Sequence, residues 1–172
     1  MISVICGTHR PQNQTLAVVN KYVEILKNLG EEVCVLKMDD LPANFMVTNT
    51  FGEPSHGLDG VVKKFVAGSD KLVFIAPEYN GSYPGILKVF LDAVPPHTWK
   101  GKKAALVGVA SGRAGNLRGM DHLTDVLHYL RVEVFSLKIP ISRLNTLINN
   151  GEVVDTETLD VLKMQAEEFL GF

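Results

Sequence analysis

The sequence is poor in cysteine and has no long apolar run. Only two of its 172 residues are cysteines, Cys6 and Cys34, and they form no CxxC pair, so both are expected to be reduced thiols in the core. No stretch approaches the roughly 18 apolar residues that a bilayer-spanning helix needs. The N-terminus lacks the basic start of a signal peptide. We therefore expect a cytoplasmic protein with no membrane partner.

The sequence also lacks an excess of charge of either sign. The formal net charge is −2, and no long run of one sign occurs. Proteins that bind nucleic acids usually carry a basic stripe, so no nucleic-acid partner is expected. His122 and His128 are six residues apart, which would turn them to different faces of a helix. Since no histidine spacing suits a metal, no metal site is predicted.

Two common nucleotide-binding motifs are absent. No GxGxxG follows the first apolar run, which disfavours a classical dinucleotide-binding fold. The chain also has no GxxxxGK[ST], which excludes P-loop nucleotide hydrolysis.

What the chain does contain is a regular alternation of strand and helix patterns. With 46% hydrophobic residues, residues 1–172 are enough for one domain with a sizeable core. Alternating strands and helices predict an α/β fold in which helices cover both faces of a five-stranded parallel sheet. The predicted strands are 1–6, 32–37, 71–76, 104–110 and 132–137, and the predicted helices are 14–29, 58–67, 84–93, 117–130 and a last one capped by Asp155 and ending near Leu170.

One loop, residues 76–85, concentrates turn-forming and aromatic residues. Its sequence is APEYNGSYPG, and it joins a buried apolar strand to a helix. Ligands bind at such loops in open α/β sheets. Tyrosine offers a flat face for stacking, and glycine allows close approach to the backbone. The residues alone also allow a tight turn whose tyrosines pack down on the core.

A second polar loop, residues 7–15, joins the first strand to the first long helix. Its hydroxyl, cationic and amide side chains come before or within the first helical turn: Thr8, Arg10, Asn13 and Thr15. Because a helix N-terminus has unpaired N–H groups and a partial positive charge, these side chains predict a phosphate site. The alternative is that Asn13 only caps the helix and that Arg10 is a solvated surface residue.

A third loop, residues 111–116, follows the fourth strand and has the sequence SGRAGN. Considered alone, it is an ordinary strand-to-helix connection. With the strand order 2-1-3-4-5, which is common in doubly wound sheets, the loops after strands one, three and four converge on one edge. The three loops are therefore expected to form one site.

The segment PEYNGSYPGILK, residues 77–88, resembles the signature loop of the NAD(P)H-dependent FMN reductases. This flavodoxin-like family includes quinone, azo-dye and chromate reductases. In the family, the tetrapeptide matching residues 77–80 lies along the isoalloxazine ring of FMN. Val89 stands where the family usually has asparagine, inside the following helix.

The other two loops resemble the same family more loosely. Residues 7–15 are similar to its GSxRxxSxN phosphate loop: Gly7 and Arg10 match, and other polar residues replace the serines and the asparagine. Residues 112–118 are similar to its GxxGGxRxxxxLRxxL pattern, which touches the pyrimidine edge of the flavin. Gly112, Gly115 and Arg118 are retained there, and Ala114 replaces one glycine.

The resemblance implies a three-layer flavodoxin-like sandwich with strand order 2-1-3-4-5 that binds FMN non-covalently. NADPH or NADH would supply a hydride, and a quinone, azo, flavin or metal-oxyanion acceptor would receive the electrons. No catalytic side chain is predicted, because the cofactor carries the redox chemistry. The implied cofactor-binding residues are Thr8, Arg10, Asn13, Gln14, Thr15, Pro77, Glu78, Tyr79, Asn80, Gly81, Ser82, Ser111, Gly112 and Gly115, and Tyr83 and Arg113 would line the ring or substrate side.

Two other functions fit the same residues. One is a flavodoxin-type electron carrier, although such carriers usually have more acidic surfaces than a net charge of −2 suggests. The other is a flavin-binding sensor or scaffold without turnover, given the substitutions at Thr8, Asn13, Thr15 and Val89. The sequence leaves open the physiological acceptor and the choice between NADH and NADPH.

The helix at 86–94 is apolar at nearly every position, which predicts burial on more than one face. Together with Pro95, Pro96 and Trp99 it would form an exposed apolar surface, so a homodimer or homotetramer is expected. The alternative is that the long connection 38–57 folds over this helix. Within that connection, Phe45, Met46 and Phe51 could cover a ligand cleft or pack on the core.

Overall fold

The computed structural model describes residues 1–45 and 56–172, with only the backbone described for His56. Its strands are β1 (Ile2–Cys6), β2 (Val33–Lys37), β3 (Lys71–Pro77), β4 (Lys103–Val109), β5 (Glu133–Val134), β6 (Ile139–Ile141), β7 (Ile148–Asn149) and β8 (Glu152–Val153). Its helices are α1 (Thr15–Asn28), α2 (His56–Val61), α3 (Gly85–Ala93), α4 (Pro96–Trp99), α5 (Leu117–Tyr129) and α6 (Thr156–Gly171). Among the described helices, none is both long and apolar enough to cross a bilayer.

The main sheet is parallel and has the strand order β2-β1-β3-β4-β5, which confirms the predicted order. The central strands β1, β3 and β4 are buried along almost their whole length. Strands covered on both faces need apolar residues at successive positions, which is why these segments are continuous apolar runs.

Two hydrophobic clusters lie on opposite faces of this sheet. Side chains alternate across a strand, so Leu72 and Phe74 of β3 enter one cluster and Val73 and Ile75 enter the other. The first cluster is completed by residues of α2, α3 and α5, and the second by residues of α1 and α6. The predicted covering of both faces by helices is confirmed.

The fifth strand, predicted as one run over 132–137, is instead split into β5 and β6. Lys103 pairs with Glu133 and Val107 pairs with Ile139. The chain therefore advances by six residues from β5 to β6 while β4 advances by four. The buried Gln165 side chain bridges the break, because its Nε2 donates to Leu106 O at 3.0 Å and to Leu137 O at 2.6 Å. Hydropathy alternation does not reveal such a two-residue insertion.

The predicted helices are confirmed, and two differences concern the helix expected at 58–67. That segment is already helical at His56, and it becomes a π-helix over Val62–Ala67. The predicted cap of α6 is present, because Thr158 N donates to Asp155 Oδ2 at 2.9 Å.

The antiparallel hairpin β7–β8 was not predicted, although its turn is Asn150-Gly151. Their φ values of 49° and 81° are those that a type I′ hairpin turn requires, and Asn-Gly is the commonest sequence for it. Attention to this dipeptide would have found the hairpin.

The surface expected around α3 is mostly covered by the chain's own core. Val94 and Trp99 were expected to extend an exposed apolar surface, but both are buried, and Trp99 packs edge-on against Phe90. That part of the oligomer prediction is wrong, because a residue inside the core cannot bind another chain. Phe45 also lies in the first cluster, whereas Met46 and Phe51 fall outside the described residues.

Candidate functional site

The loops after β1, β3 and β4 meet at the carboxyl edge of the sheet, around a cavity of about 380 Å³. Each loop contributes to its wall, as expected from the strand order. The lining residues are Arg10, Pro11, Gln12, Asn13, Gln14, Thr15, Pro77, Glu78, Tyr79, Val109, Ala110, Ser111 and Leu144.

A second cavity, of about 300 Å³, adjoins the first one. The two share Glu78, Ala110 and Ser111, so they form one cleft across the ends of β3 and β4. The second cavity is also lined by Asn80, Gly81, Gly112, Arg113 and Ala114. The cleft thus joins the start of α1 to the turn after β3.

Thr8 connects two of the predicted loops. Its side chain is buried, and its hydroxyl lies 2.7 Å from the Tyr79 hydroxyl and accepts a hydrogen bond from Arg10 N at 3.1 Å. Because the loop itself uses this hydroxyl, Thr8 fixes the position of Tyr79 relative to α1. It is not among the residues that line either cavity.

Asn13 caps helix α1 although it also lines the cavity. Its Oδ1 accepts from Leu16 N at 3.2 Å, and its Nδ2 donates to Arg10 O at 2.8 Å. The capping interpretation therefore holds for this side chain. By contrast, Thr15 lines the cavity, and its hydroxyl has no hydrogen-bond partner among the described residues.

The residues Tyr79 to Ser82 form a tight turn at the end of β3. Tyr79 N donates to Ser82 O at 2.8 Å, and Ser82 N donates to Tyr79 O at 3.1 Å. The two central residues, Asn80 and Gly81, have φ values of 52° and 77°. A type I′ turn needs positive φ at both positions, which explains why asparagine and glycine stand there.

Helix α5 holds this turn from one side through residues that were not predicted as site residues. Asn116 Nδ2 donates to Ala76 O at 3.0 Å, and Ser82 Oγ lies 2.9 Å from His122 Nδ1. A Cβ placed on Gly81 would lie 2.9 Å from Arg118 Nη1, so the Arg118 guanidinium packs directly against the turn. Asn116 precedes the helix and has a positive φ of 62°. A buried polar residue in that conformation gives little signal in a single sequence.

Two further predicted residues have mainly packing roles in the structure. Tyr83 packs against the first core cluster and is not among the residues lining the two cavities. Its burial, with a smaller effect of the Asp92 charge, raises the pKa of Tyr83 to about 12. Gly115 is buried against Pro140, so its lack of a side chain is a packing requirement.

Neither cysteine is placed as a reactive group of the cleft. Burial raises the pKa of the Cys6 thiol to about 11, which keeps it protonated beneath the first loop. Cys34 is free and only partly buried, beside the Ser3 hydroxyl at 3.0 Å. The expectation of reduced thiols agrees with this arrangement, although Cys34 is not fully in the core.

A protein-family model described as NADPH-dependent FMN reductase matches residues 1–142, which is most of the chain. The chain belongs to this family. The family match covers β1 to β6 and therefore all three loops that line the cleft.

Relatives of this FMN reductase family member occur in bacteria and plants. The chain is 32% identical over 116 residues to a 2-hydroxy-1,4-benzoquinone reductase of Burkholderia sp, which covers 62% of each chain. It is 30% identical over 176 residues to a probable NADPH:quinone oxidoreductase 2 of Oryza sativa subsp. japonica, which covers 94% of this chain and 83% of that one. The match thus spans less than two thirds of the Burkholderia protein's length.

Solved structures show the fold of this family member. A NADH:FMN oxidoreductase in its apo form superposes with a TM-score of 0.77 at 21% identity, covering 98% of this chain and 87% of that one. A Streptococcus pneumoniae flavodoxin superposes with a TM-score of 0.63 at 14% identity, covering 99% and 97%. The fold is therefore flavodoxin-like.

Proposed function

We propose that this protein binds FMN non-covalently in the cleft and reduces it with a hydride from NADPH or NADH. The bound FMN would then reduce a small-molecule acceptor. The observation that carries this proposal is the continuity of the two cavities, which share Glu78, Ala110 and Ser111. Their individual volumes, about 380 and 300 Å³, are in the usual range for cofactor sites.

The first cavity suits the phosphate of FMN. Arg10 supplies a positive charge, and the Thr15 hydroxyl at the start of α1 has no hydrogen-bond partner among the described residues. The first turn of a helix also has N–H groups without intrahelical partners, and its dipole favours an anion. Arg10, Gln14 and Thr15 would therefore hold the phosphate, while Thr8 and Asn13 keep the loop in shape.

The second cavity suits the flat ring of FMN. Its walls are the turn at Asn80-Gly81 on one side and Ser111-Gly112 on the other. Small residues let a planar ligand approach the backbone, and backbone N–H and C=O groups can bond its polar edge. The hydrogen bonds of Asn116 to β3 and of His122 to Ser82 would keep the turn from moving when the ring binds.

When bound, FMN supplies the hydride-accepting and electron-donating chemistry. The residues of the chain would orient the ring, neutralise the phosphate and keep one ring face open to both substrates. Because Tyr83 packs against the first core cluster and lines neither cavity, we assign it to supporting the turn rather than to lining the ring. Two relatives are named as quinone reductases, so we propose a quinone as the acceptor.

The absorbance spectrum of the purified protein tests this proposal. We expect a yellow protein, or one that becomes yellow with FMN, whose colour is bleached anaerobically by NADPH or NADH and restored by a quinone. A flavin that binds but is not reduced by either dinucleotide would favour an electron carrier. A protein that cannot be loaded with FMN would contradict the proposal.

The homodimer or homotetramer stays a proposal with different support. A groove of about 410 Å³ between α3 and α5 is lined by Pro96, Val126, Tyr129, Leu130 and other residues, and Tyr129 is 88% exposed. A second copy could cover this apolar surface. Light scattering after size exclusion tests it, and an FMN-loaded, active monomer at micromolar concentration would contradict it.

A further inference from the structure

The arginines of this protein differ from its lysines in how they are paired. In each of the five ion pairs found in residues 1–45 and 56–172, the cation is a lysine. No arginine in these ranges contacts a carboxylate, and Arg113 and Arg143 are both exposed. These two arginines therefore have their charge available to a ligand.

The backbone of Arg143 is held in an unfavourable conformation by several hydrogen bonds. Its φ is 51°, in the left-handed region that a non-glycine residue seldom adopts. Arg143 N donates to Gly112 O at 2.8 Å, and its carbonyl accepts from Thr146 N at 2.8 Å and from Thr146 Oγ1 at 2.9 Å. Strained residues fixed in this way concentrate at functional sites.

These hydrogen bonds also place Arg143 beside the cleft. Its neighbour Ser142 donates from Oγ to Arg113 O at 2.6 Å, so residues 142–143 run alongside residues 112–113. Arg113 lines the second cavity, and Leu144 lines the first one. Two arginines without a carboxylate partner among the described residues thus come from adjacent backbone segments: Arg113 lines the second cavity, which Arg10 does not line, and Arg143 is bonded through its N–H to Gly112 of that cavity.

We propose that Arg113 and Arg143 bind the phosphate groups of the nicotinamide dinucleotide. This inference rests on the proposed function, in which Arg10 binds the phosphate of FMN in the first cavity. A dinucleotide has a pyrophosphate, and NADPH a further 2′-phosphate, that must be neutralised outside the ring site. The planar guanidinium donates two parallel hydrogen bonds to such groups, and two adjacent arginines suit a pair of phosphates.

The test compares Arg143→Asn with Arg131→Asn in the FMN-loaded protein. Both arginines are exposed and have positive φ, 51° and 62°, and asparagine tolerates this conformation. Arg131 lies at the opposite edge of the sheet, just before β5, so it controls for the loss of one surface charge. Calorimetry with ADP-ribose, which has the pyrophosphate but cannot react, should show about tenfold weaker binding to Arg143→Asn only. The same measurement with 2′-phospho-ADP-ribose covers the 2′-phosphate. Equal binding of both ligands to both variants, or binding of neither ligand to the wild type, would overturn the proposal.

A comparison of three hydride donors identifies which phosphate the two arginines bind. We expect kcat/KM of Arg143→Asn to fall about tenfold with NADPH and NADH. Turnover with dihydronicotinamide riboside, which has no phosphate, should match that of Arg131→Asn. A loss with NADPH alone would assign the arginines to the 2′-phosphate, and an equal loss with all three donors would overturn the proposal. If the wild type oxidises no donor, the proposed function fails, and calorimetry still decides the role of Arg143.

Discussion

The two edges of the sheet use their charged residues in opposite ways. At the amino edge, Lys71 Nζ donates to Phe169 O at 2.8 Å and Lys102 Nζ donates to Ser69 O at 2.7 Å. Lys103 likewise donates to the main-chain oxygen of Phe172. At the carboxyl edge, Arg10 and Arg113 line an open cleft and have no carboxylate partner among the described residues.

Backbone strain is distributed in the same uneven way. Of the six described non-glycine residues with positive φ, Gln12, Asn80, Asn116 and Arg143 form or support the cleft, Arg131 lies at the amino edge and Asn150 lies in the β7–β8 hairpin. The amino edge instead has aromatic packing, in which Phe135, Phe169 and Phe172 lie with ring centroids 5.2 to 6.3 Å apart. We infer that one edge is built for stability, and that the other gives up some stability to keep charges and backbone groups available.

The largest expected effect comes from filling space at the cleft edge. Gly115 has a φ of 56°, and a Cβ there would lie 2.6 Å from Pro140 Cβ. We expect Gly115→Ala to lower the free energy of unfolding by about 2–4 kcal/mol, from left-handed strain and overpacking together. Urea denaturation measures this. Gly112→Ala is the matched control, since nothing lies within 4 Å of its Cβ. Equal stability of the two variants would mean that the loop yields easily.

The next effect concerns ligand affinity at the same edge. Arg10 lines the first cavity, where we place the phosphate. Arg10→Ala should weaken FMN binding by the ~1.5–3 kcal/mol of a charge-assisted hydrogen bond and leave riboflavin binding nearly unchanged. Fluorescence quenching by both flavins measures the difference. If the variant lost the same affinity for both, Arg10 would be shaping the loop rather than binding phosphate.

Two threonines of the loop at residues 7–15 test whether a hydroxyl supports the loop or binds FMN. The Thr8 hydroxyl bonds Arg10 N and lies against Tyr79, whereas the Thr15 hydroxyl has no partner among the described residues. Thr8→Val should therefore lower the free energy of unfolding by about 1–2 kcal/mol. Thr15→Val should leave stability unchanged and weaken FMN binding by about 1 kcal/mol. The reverse pattern in urea melts and flavin titrations would exchange the two roles.

The sequence predicted most of the fold because the fold depends on patterns that repeat. Continuous apolar runs predicted the central strands, and the predicted end of the first helix near residue 29 agrees with α1, after which Gly30 has a φ of 88°. The split of the fifth strand was missed because it depends on a distant residue, Gln165, which bonds Leu137 O. Local patterns carry no information about such a partner.

The site was predictable to the level of loops but not of individual side chains. Tyr83 lies within the tyrosine-rich loop, yet it packs against the core. Asn116 was overlooked, yet its Nδ2 holds Ala76 O. Composition can identify a turn, but the direction of a side chain from that turn depends on the elements packed around it. A hydroxyl such as that of Thr8 can therefore serve the loop rather than a ligand.

The smallest expected effect tests the amino edge through its pH dependence. Burial lowers the pKa of Lys102 below its usual 10.5, and the charge of Asp70 offsets part of this shift. The unfolded chain therefore binds this proton more tightly than the folded one, so Lys102 destabilises the fold at neutral pH. That penalty should be relieved as the pH rises from the lowered pKa towards 10.5.

We expect the stability of the wild type relative to Lys102→Met to increase between pH 7 and about pH 10. Urea midpoints at both pH values measure this, with Lys100→Met as an exposed control from the same turn. A relative stability that falls with pH would mean that the protonated lysine, through its bond to Ser69 O, stabilises this edge.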